Sequence, residues 1–437
     1  MKLKIFQEHK IIFLGLGIEN YTLILWLRRQ GFNNEITVWN PLAKEQSGPR
    51  YQTLKNDNHI LWSFGSKMPN LMNYSLVIRS SGVLIDPKLR KELTKKKILS
   101  SAIQLFFDLC PTKNIIGITG TKGKGTTSSL IYTILKTAKK QVWFGANIGT
   151  PLFSFISKIK KNDWVVLELS SFQLQELTKS PKISVLTNFS PEHLSSDDAK
   201  NPNFHYSLSD YFNSKLKIAK YQKKSDIFVI NKKLRAKIKK IKLPGKVIYF
   251  TSSNLPSILP GEHNKENIAA AELVAKQLKV SPLTITKAVR SFKGLEYRLQ
   301  KVTEKNSISY YNDSFATTPA STLTALRTFS QPIILLAGGS DKGSDFTELA
   351  KLIKQKVKYI ILFKGKGSDR LSHALKKVNF PKQNTVVVDS MNKAMKLARS
   401  HARSGDIILL SPACASFGVF KNYKERGYQF KQASLRR

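Results

Sequence analysis

Residues 115–127 read Ile-Ile-Gly-Ile-Thr-Gly-Thr-Lys-Gly-Lys-Gly-Thr-Thr, and a helix-like run at 128–135 follows. An apolar strand, a glycine-rich loop with a lysine and a helix start, in that order, confine this part of the chain to the strand–loop–helix unit of an α/β domain. Gly120, Gly123 and Gly125 let backbone N–H groups close on phosphate oxygens with no Cβ in the way. The helix start adds unpaired donors and a positive dipole end, and Lys124 adds a point charge. Such a loop suits a nucleoside triphosphate. The pattern G-x-x-x-x-G-K-[ST] is matched only in part, because its first glycine falls at Ile118 and its hydroxyl position at Gly125. Thr126 or Thr127 must then supply any hydroxyl to Mg²⁺.

The rest of the chain repeats the same grammar. Apolar runs at 10–14, 35–39, 76–79, 164–169, 183–188, 332–337, 359–363 and 406–410 alternate with helical stretches such as 21–29. Runs of that kind are parallel strands covered on both faces. Gly15-Leu16-Gly17-Ile18-Glu19-Asn20 follows the first run as a glycine turn, a Rossmann-like opening without its third glycine. The fold class is therefore α/β, without repeats or a low-complexity linker. Three domains are expected: 1–102 Rossmann-like, 103–296 with the phosphate loop in a mostly parallel sheet, and 297–437 again Rossmann-like.

At 437 residues the chain can bury several cores, and 41% hydrophobic content is ordinary for globular domains. No apolar stretch approaches a membrane span, and the N-terminus resembles a first strand rather than a signal peptide. Cys110 and Cys414 are too few for a disulfide framework or a four-cysteine zinc site, which points to the cytoplasm. A net charge of +43 invites a nucleic-acid partner. The lysines, however, are spread along the whole chain, and the densest block, 234–242, has the spacing of a solvated helix face. Nucleic acid is not the expected partner.

Polar residues gather where the apolar runs end, which is where parallel sheets bind ligands. Glu168 leaves a strand beside the phosphate loop and suits Mg²⁺ ligation. His193 sits in the loop Ser190-Pro191-Glu192-His193-Leu194, and alone would be an ordinary solvated histidine. The segment Gly261-Glu262-His263-Asn264-Lys265-Glu266-Asn267 could be no more than a helix start.

In combination these segments resemble the Mur ligase family. The resemblance is carried by the phosphate loop, Asn147-Ile148-Gly149-Thr150-Pro151, Glu168-Leu169-Ser170-Ser171-Phe172-Gln173, the His193 loop and the Gly261–Asn267 segment. Arg298, Asn312-Asp313-Ser314-x-Ala316-Thr317, Gly338-Gly339-Ser340-Asp341-Lys342-Gly343 and Leu410-Ser411-Pro412-Ala413-Cys414-Ala415-Ser416-Phe417 resemble the branch that adds D-glutamate. The resemblance spans essentially the whole chain, in order.

It implies a monomeric ligase that uses ATP and Mg²⁺ to join D-glutamate to UDP-N-acetylmuramoyl-L-alanine through an acyl phosphate, a step of peptidoglycan synthesis. Lys124 would contact the β/γ-phosphates within a loop of Gly120, Thr121, Gly123, Gly125, Thr126 and Thr127. Thr126 and Glu168 would serve one Mg²⁺ and His193 a second. Lys215 matches the family lysine that becomes carbamylated, giving an anion able to reach that second ion. Asn264 and Asn267 would face adenine, with Arg298 and Asp313 on the ribose or phosphates. Gly17, Asn147 and Ser170 would touch the sugar nucleotide. Thr317, Lys342, Ser416 and Tyr423 would line the glutamate pocket.

Three residues depart from the family pattern: Gly125 after the loop lysine, Phe315 where lysine is common, and Gly418 where aspartate is common. The Gly125 loop is also similar to that of folylpolyglutamate synthases, an alternative within the same chemistry. An alternative of another class is a basic ATP-binding protein that grips nucleic acid.

Overall fold

Isoleucine, valine and leucine dominate the strand runs, and their branched side chains pack well on a pleated surface. The computed structural model describes residues 3–194, 203–340 and 343–436, and among these seventeen strands form three sheets. The chain divides into two compact units, 1–255 with 265–289, and 256–264 with 290–437.

The first unit carries two sheets. β1 (Ile11–Leu14), β2 (Ile36–Asn40), β3 (Ile60–Phe64), β4 (Leu76–Arg79) and β5 (Leu99–Ser100) lie in the order β3-β2-β1-β4-β5, all parallel. β6 (Ile115–Thr119), β7 (Val142–Ala146), β8 (Trp164–Glu168), β9 (Ile183–Leu186), β10 (Ile227–Asn231) and β11 (Lys246–Phe250) lie in the order β11-β10-β9-β6-β8-β7, again all parallel. In both sheets the strand order reverses beside a glycine-turn strand, β1 in one and β6 in the other. A crevice opens beyond the carboxyl ends at such a switch point.

One apolar core runs through both sheets, from Phe13 and Ile24 through Phe106 and Phe153 to Leu167 and Phe228. The Trp26 ring packs tilted against Phe153 at 5.4 Å and donates from Nε1 to Ser157 at 2.9 Å. Arg79, the last residue of β4, is buried and reaches across to Glu176, donating at 2.9 Å and 2.7 Å to its two oxygens. Arg90 pairs with the same carboxylate.

The second unit holds β12 (Gln300–Lys305), β13 (Ile308–Asn312), β14 (Ile333–Gly338), β15 (Val357–Phe363), β16 (Thr385–Val388) and β17 (Ile407–Leu410), ordered β12-β13-β17-β14-β15-β16. Only the β12–β13 pair is antiparallel, because two residues, Asn306 and Ser307, turn between them with positive φ. Separate apolar clusters, one around Leu335 and Leu409 and the other around Leu336 and Phe430, cover the sheet's two faces.

The basic block 234–242, whose spacing suits a solvated helix face, is helical over only part of its length. Arg235–Ile238 is a single helical turn after the 3₁₀ turn Lys232–Leu234, and Pro244-Gly245 follows before β11. The helix read from the sequence at 21–29 starts earlier, at Ile18, which makes Gly17 its N-cap.

Candidate active site

Register brings one set of loops together. Ile118 pairs with Glu168, Ala146 with Glu168, and Thr119 with Leu186. The carboxyl ends of β7, β8, β6 and β9 therefore form one edge, and Asn147, Glu168, the phosphate loop and the Asn188–His193 loop all leave from it.

The phosphate loop depends on glycine at two points. Gly123 is the N-cap of helix Lys124–Thr137 at φ 77°, and a Cβ there would lie 2.2 Å from Asn267 Oδ1. Gly120 has φ 152°, and its Cβ would lie 1.9 Å from Thr187 Oγ1. Both positions are closed to other residues on steric and dihedral grounds. The loop is then pinned from the next strand end: Lys122 N–H donates to Asn188 Oδ1 at 2.8 Å, and Thr187 Oγ1 donates to the Lys122 carbonyl at 2.7 Å. Lys122 also pairs with Glu192. Thr121 Oγ1 accepts from Ser190 N–H at 3.1 Å. Lys124 Nζ donates to the carbonyls of Gly120 at 3.0 Å and Thr121 at 2.9 Å, which holds it over the loop. Gly125 and Thr127 are buried and Thr126 is half-buried, so Thr126 is the hydroxyl better presented to a ligand. Thr127 Oγ1 instead donates to Asn267 Oδ1 at 3.3 Å, and that contact places Asn267 against the loop.

Glu168 ends β8 buried. Asn147 Nδ2 donates to its Oε1 at 2.5 Å, while Oε2 is buried without a hydrogen-bond partner. A buried, half-satisfied carboxylate facing a phosphate loop is the oxygen chemistry a Mg²⁺ ion takes. Among the described residues no three His, Cys, Asp or Glu side chains form a metal cluster, so Mg²⁺ here would need hydroxyl, phosphate or carbamate oxygens as well. Lys215 is suited to become such a donor. It is 1% exposed, its Nζ donates to the Gly120 carbonyl at 2.8 Å, and the Tyr211 ring lies 4.5 Å away. Burial first, and Lys124 second, hold its amine well below the usual lysine range, with Glu192 pulling the other way. His193 is at φ 59°, with its ring against Phe172 at 5.3 Å. Burial, opposed by Glu192 and reinforced by Lys215 and Lys124, keeps its imidazole below its ordinary value, which marks these cations as its neighbours.

The sugar-nucleotide candidates lie beside this edge. Gly17 and Ser80 line two cavities at once. One, of about 850 Å³, extends past Asn40, Arg50 and Tyr51; the other, of about 140 Å³, extends past Asn147 and Gln173. Ser170 caps the short helix Ser171–Leu174 through a reciprocal bond with Gln173, so its side chain already has a structural duty.

In the second unit, Asp313 and Ser411 follow the paired ends of β13 and β17. Asp313 accepts from Ser411 Oγ at 2.8 Å and from Leu299 N–H at 3.0 Å. Burial nevertheless pushes its carboxyl up to about 7. Arg298 stacks its guanidinium 3.8 Å from the ring centre of Phe315, and the Tyr423 ring meets Phe315 edge-on at 5.1 Å. Phe315 thus supplies a platform where lysine would supply charge. Thr317 is half-buried and Ser416 buried in the neighbouring loops. Asn264 is tied by Nδ2 to the Pro260 carbonyl at 2.7 Å. Lys342 lies outside the described residues.

Three residues of these sites escape sequence reasoning. Arg426 is fully buried and donates to Ser314 Oγ and to the carbonyls of Ser314 and Cys414, locking the two loops of the second unit together. His205 is buried between Ser171 and Asp210, at 2.9 Å and 3.0 Å, and stacks on Phe172. Tyr211 touches Thr121 at 3.3 Å through its hydroxyl. Only Tyr211 left a trace, four residues before Lys215 and so on the same helical face.

Parallel sheets with a glycine-rich phosphate loop at a switch point define a nucleotide-binding α/β enzyme. Residues 118–256 match the Mur ligase middle domain, and 297–414 the Mur ligase glutamate ligase domain. The chain is 34% identical to the UDP-N-acetylmuramoylalanine–D-glutamate ligase of Clostridium tetani, over 98% of this chain and 97% of that one. It is 33% identical to the protein of the same name from Acetivibrio thermocellus, over 98% and 96%. In fold it is similar to the UDP-N-acetylmuramate–alanine ligase MurC of Thermotoga maritima, with a TM-score of 0.57, 19% identity and coverage of 98% and 100%. MurF ligase of Thermotoga maritima, solved in complex with ADP, gives a TM-score of 0.56 at 17% identity, covering 92% and 95%. The chain belongs to the Mur ligase family, within its UDP-N-acetylmuramoylalanine–D-glutamate ligases, and is a ligase. No helix among the described residues is long and apolar enough to cross a membrane.

Proposed function

We propose that this chain joins D-glutamate to UDP-N-acetylmuramoyl-L-alanine at the expense of ATP, forming the second residue of a peptidoglycan stem. The observation that carries the reading is the single sheet edge shared by the phosphate loop, Glu168 and Asn147, reached from behind by Lys215. Its domains are 1–102 for the sugar nucleotide, 103–296 for ATP and 297–437 for the amino acid.

Lys124 and the loop amides hold the triphosphate and spread the charge of the transferring phosphoryl group. Glu168, Thr126, His193 and a carbamylated Lys215 would hold Mg²⁺, which supplies charge neutralisation between a carboxylate and a triphosphate that otherwise repel. The alanyl carboxylate becomes an acyl phosphate, the glutamate amine attacks it, and phosphate leaves. Gly17 and Ser80 stand where the sugar nucleotide passes between the two cavities. Asn264 and Asn267 serve adenine, with Asp313 and Arg298 on the ribose or phosphates. Thr317, Lys342, Ser416 and Tyr423 receive glutamate.

Phosphate release with ATP and UDP-N-acetylmuramoyl-L-alanine, compared across D-Glu, L-Glu, D-Ala and folate with L-Glu, tests the reading. D-Glu alone should support turnover. Equal rates with D-Ala would remove the glutamate assignment.

A further inference from the structure

His193 holds a backbone conformation, φ 59°, that a residue with a side chain adopts only at a cost, so its surroundings must fix it there. His205 does this from the main chain, where its N–H donates to the His193 carbonyl at 2.8 Å. Its own side chain leaves that N–H little freedom. The imidazole is fully buried, meets Asp210 Oδ2 through Nδ1 at 3.0 Å and Ser171 Oγ through Nε2 at 2.9 Å, and lies flat on the Phe172 ring at 4.7 Å. A carboxylate only accepts, so Nδ1 carries a proton, and Nε2 of the neutral ring accepts from the serine hydroxyl. Phe172 in turn meets the His193 ring edge-on at 5.3 Å. Ser171 opens the short helix that follows Glu168 on β8, and Asp210 lies in the helix that carries Lys215. One imidazole therefore ties together the three segments that bring Glu168, His193 and Lys215.

We propose that His205 is a positioning residue for the Mg²⁺ that His193 receives: it sets the His193 backbone and, through Phe172, the tilt of the His193 ring. The inference rests on the reading of His193 as a Mg²⁺ donor. A histidine binds a metal along one direction of its ring, and losing a group that orients such a ligand typically costs about 10–100-fold in metal affinity. The segment around His205 is anchored on both sides without the imidazole. Buried Asn203 donates from Nδ2 to the Ser81 carbonyl at 2.6 Å, and Ser207 caps the following helix by accepting from Asp210 N–H at 3.0 Å. Removing the imidazole contacts therefore releases His193 locally rather than the whole connection.

Mn²⁺ in place of Mg²⁺, titrated by electron paramagnetic resonance onto enzyme saturated with a non-hydrolysable ATP analogue and UDP-N-acetylmuramoyl-L-alanine, reads the site without turnover. His205→Phe keeps a flat ring on Phe172 and drops both nitrogen contacts. It should weaken the ion assigned to His193 about tenfold and leave the ion assigned to Glu168 and Thr126 unchanged. Asp210→Ala, at a partly exposed carboxylate, should weaken the same ion by a smaller factor, and it decides the matter if the Phe variant does not fold. His193→Ala is the control and should lose that ion. If it keeps both ions, the metal reading of His193 fails and the inference falls with it. If it loses the ion while the folded His205 or Asp210 variant binds as wild type does, the positioning role alone is overturned. Equal weakening of both ions overturns it too, because a general loosening of the sheet edge would do the same.

Discussion

Lys215 Nζ lies 2.8 Å from the carbonyl oxygen of Gly120, so the helix Leu208–Lys220 ends one of its turns on the first residue of the phosphate loop. Burial and the nearby Lys124 depress its pKa, which raises the fraction of neutral amine at a given pH. Neutral amine attacks CO₂ and loses a proton to give a carbamate. Lys215→Ala should lose most phosphate-releasing activity and regain part of it with millimolar formate or acetate, whose oxygens can fill the vacated volume. A fully active Lys215→Ala enzyme would return the residue to a structural role.

Lys124 is held over the loop by the Gly120 and Thr121 carbonyls. Lys124→Ala should lower kcat at least about a hundredfold, the scale of losing one preorganised electrostatic donor. Single-turnover phosphate release measures it, and near-normal release would remove the loop from the mechanism.

Gly123→Ala adds a methyl carbon 2.2 Å from Asn267 Oδ1 at a φ of 77°. The cost, of order 1–3 kcal/mol for a strained backbone position, falls on the loop itself. ATP affinity should therefore drop roughly tenfold or more, while the far-ultraviolet circular dichroism stays as in wild type. An unchanged Kd for ATP would show that the loop can yield.

Glu176 neutralises Arg79 and Arg90 between the two sheets of the first unit, with side chains of Arg79 and Glu176 each 1% exposed. Glu176→Gln leaves buried cations without their counter-ion and should cost about 3–5 kcal/mol of stability, read as a lower urea midpoint. Loss of less than about 1 kcal/mol would mean water enters the site.

Asp313 has a native pKa of about 7 against an ordinary 3.8. The native state therefore binds more protons than the unfolded chain between those values, and stability falls as pH rises through that window, then levels off. The total is up to about 4 kcal/mol at 1.36 kcal/mol per pH unit. Asp313→Asn should remove that slope, since the Ser411 hydroxyl can turn to accept from the amide. Denaturation curves at pH 5 and pH 8 for both proteins decide it.

Local chemistry was enough for much of this molecule. β1, β6, β8, β9, β14 and β17 are apolar at nearly every position, and the loop from Gly120 to Thr127 carries its own turn residues and charge, so neither needs distant contacts to be read. The place of Glu168 at the end of β8 was legible because the apolar run before it stops at that carboxylate. β3, β11 and β16 were not legible, because they are edge strands with exposed residues and short, mixed patterns. The helix suggested by 234–242 is cut to a single turn although Leu234 and Ile238 are buried in the core, and Pro244-Gly245 close behind cannot continue a helix. Tertiary structure alone decided which ionisable groups lost their water. Arg79, Glu176, His205 and Arg426 look like ordinary polar residues in the chain, yet Arg79 is bonded to Glu176, 97 residues away, and Arg426 to Ser314, 112 residues away. A sequence determines a strand or a turn through neighbours a few bonds apart. The protonation and pairing of a buried charge depend on what the fold brings around it.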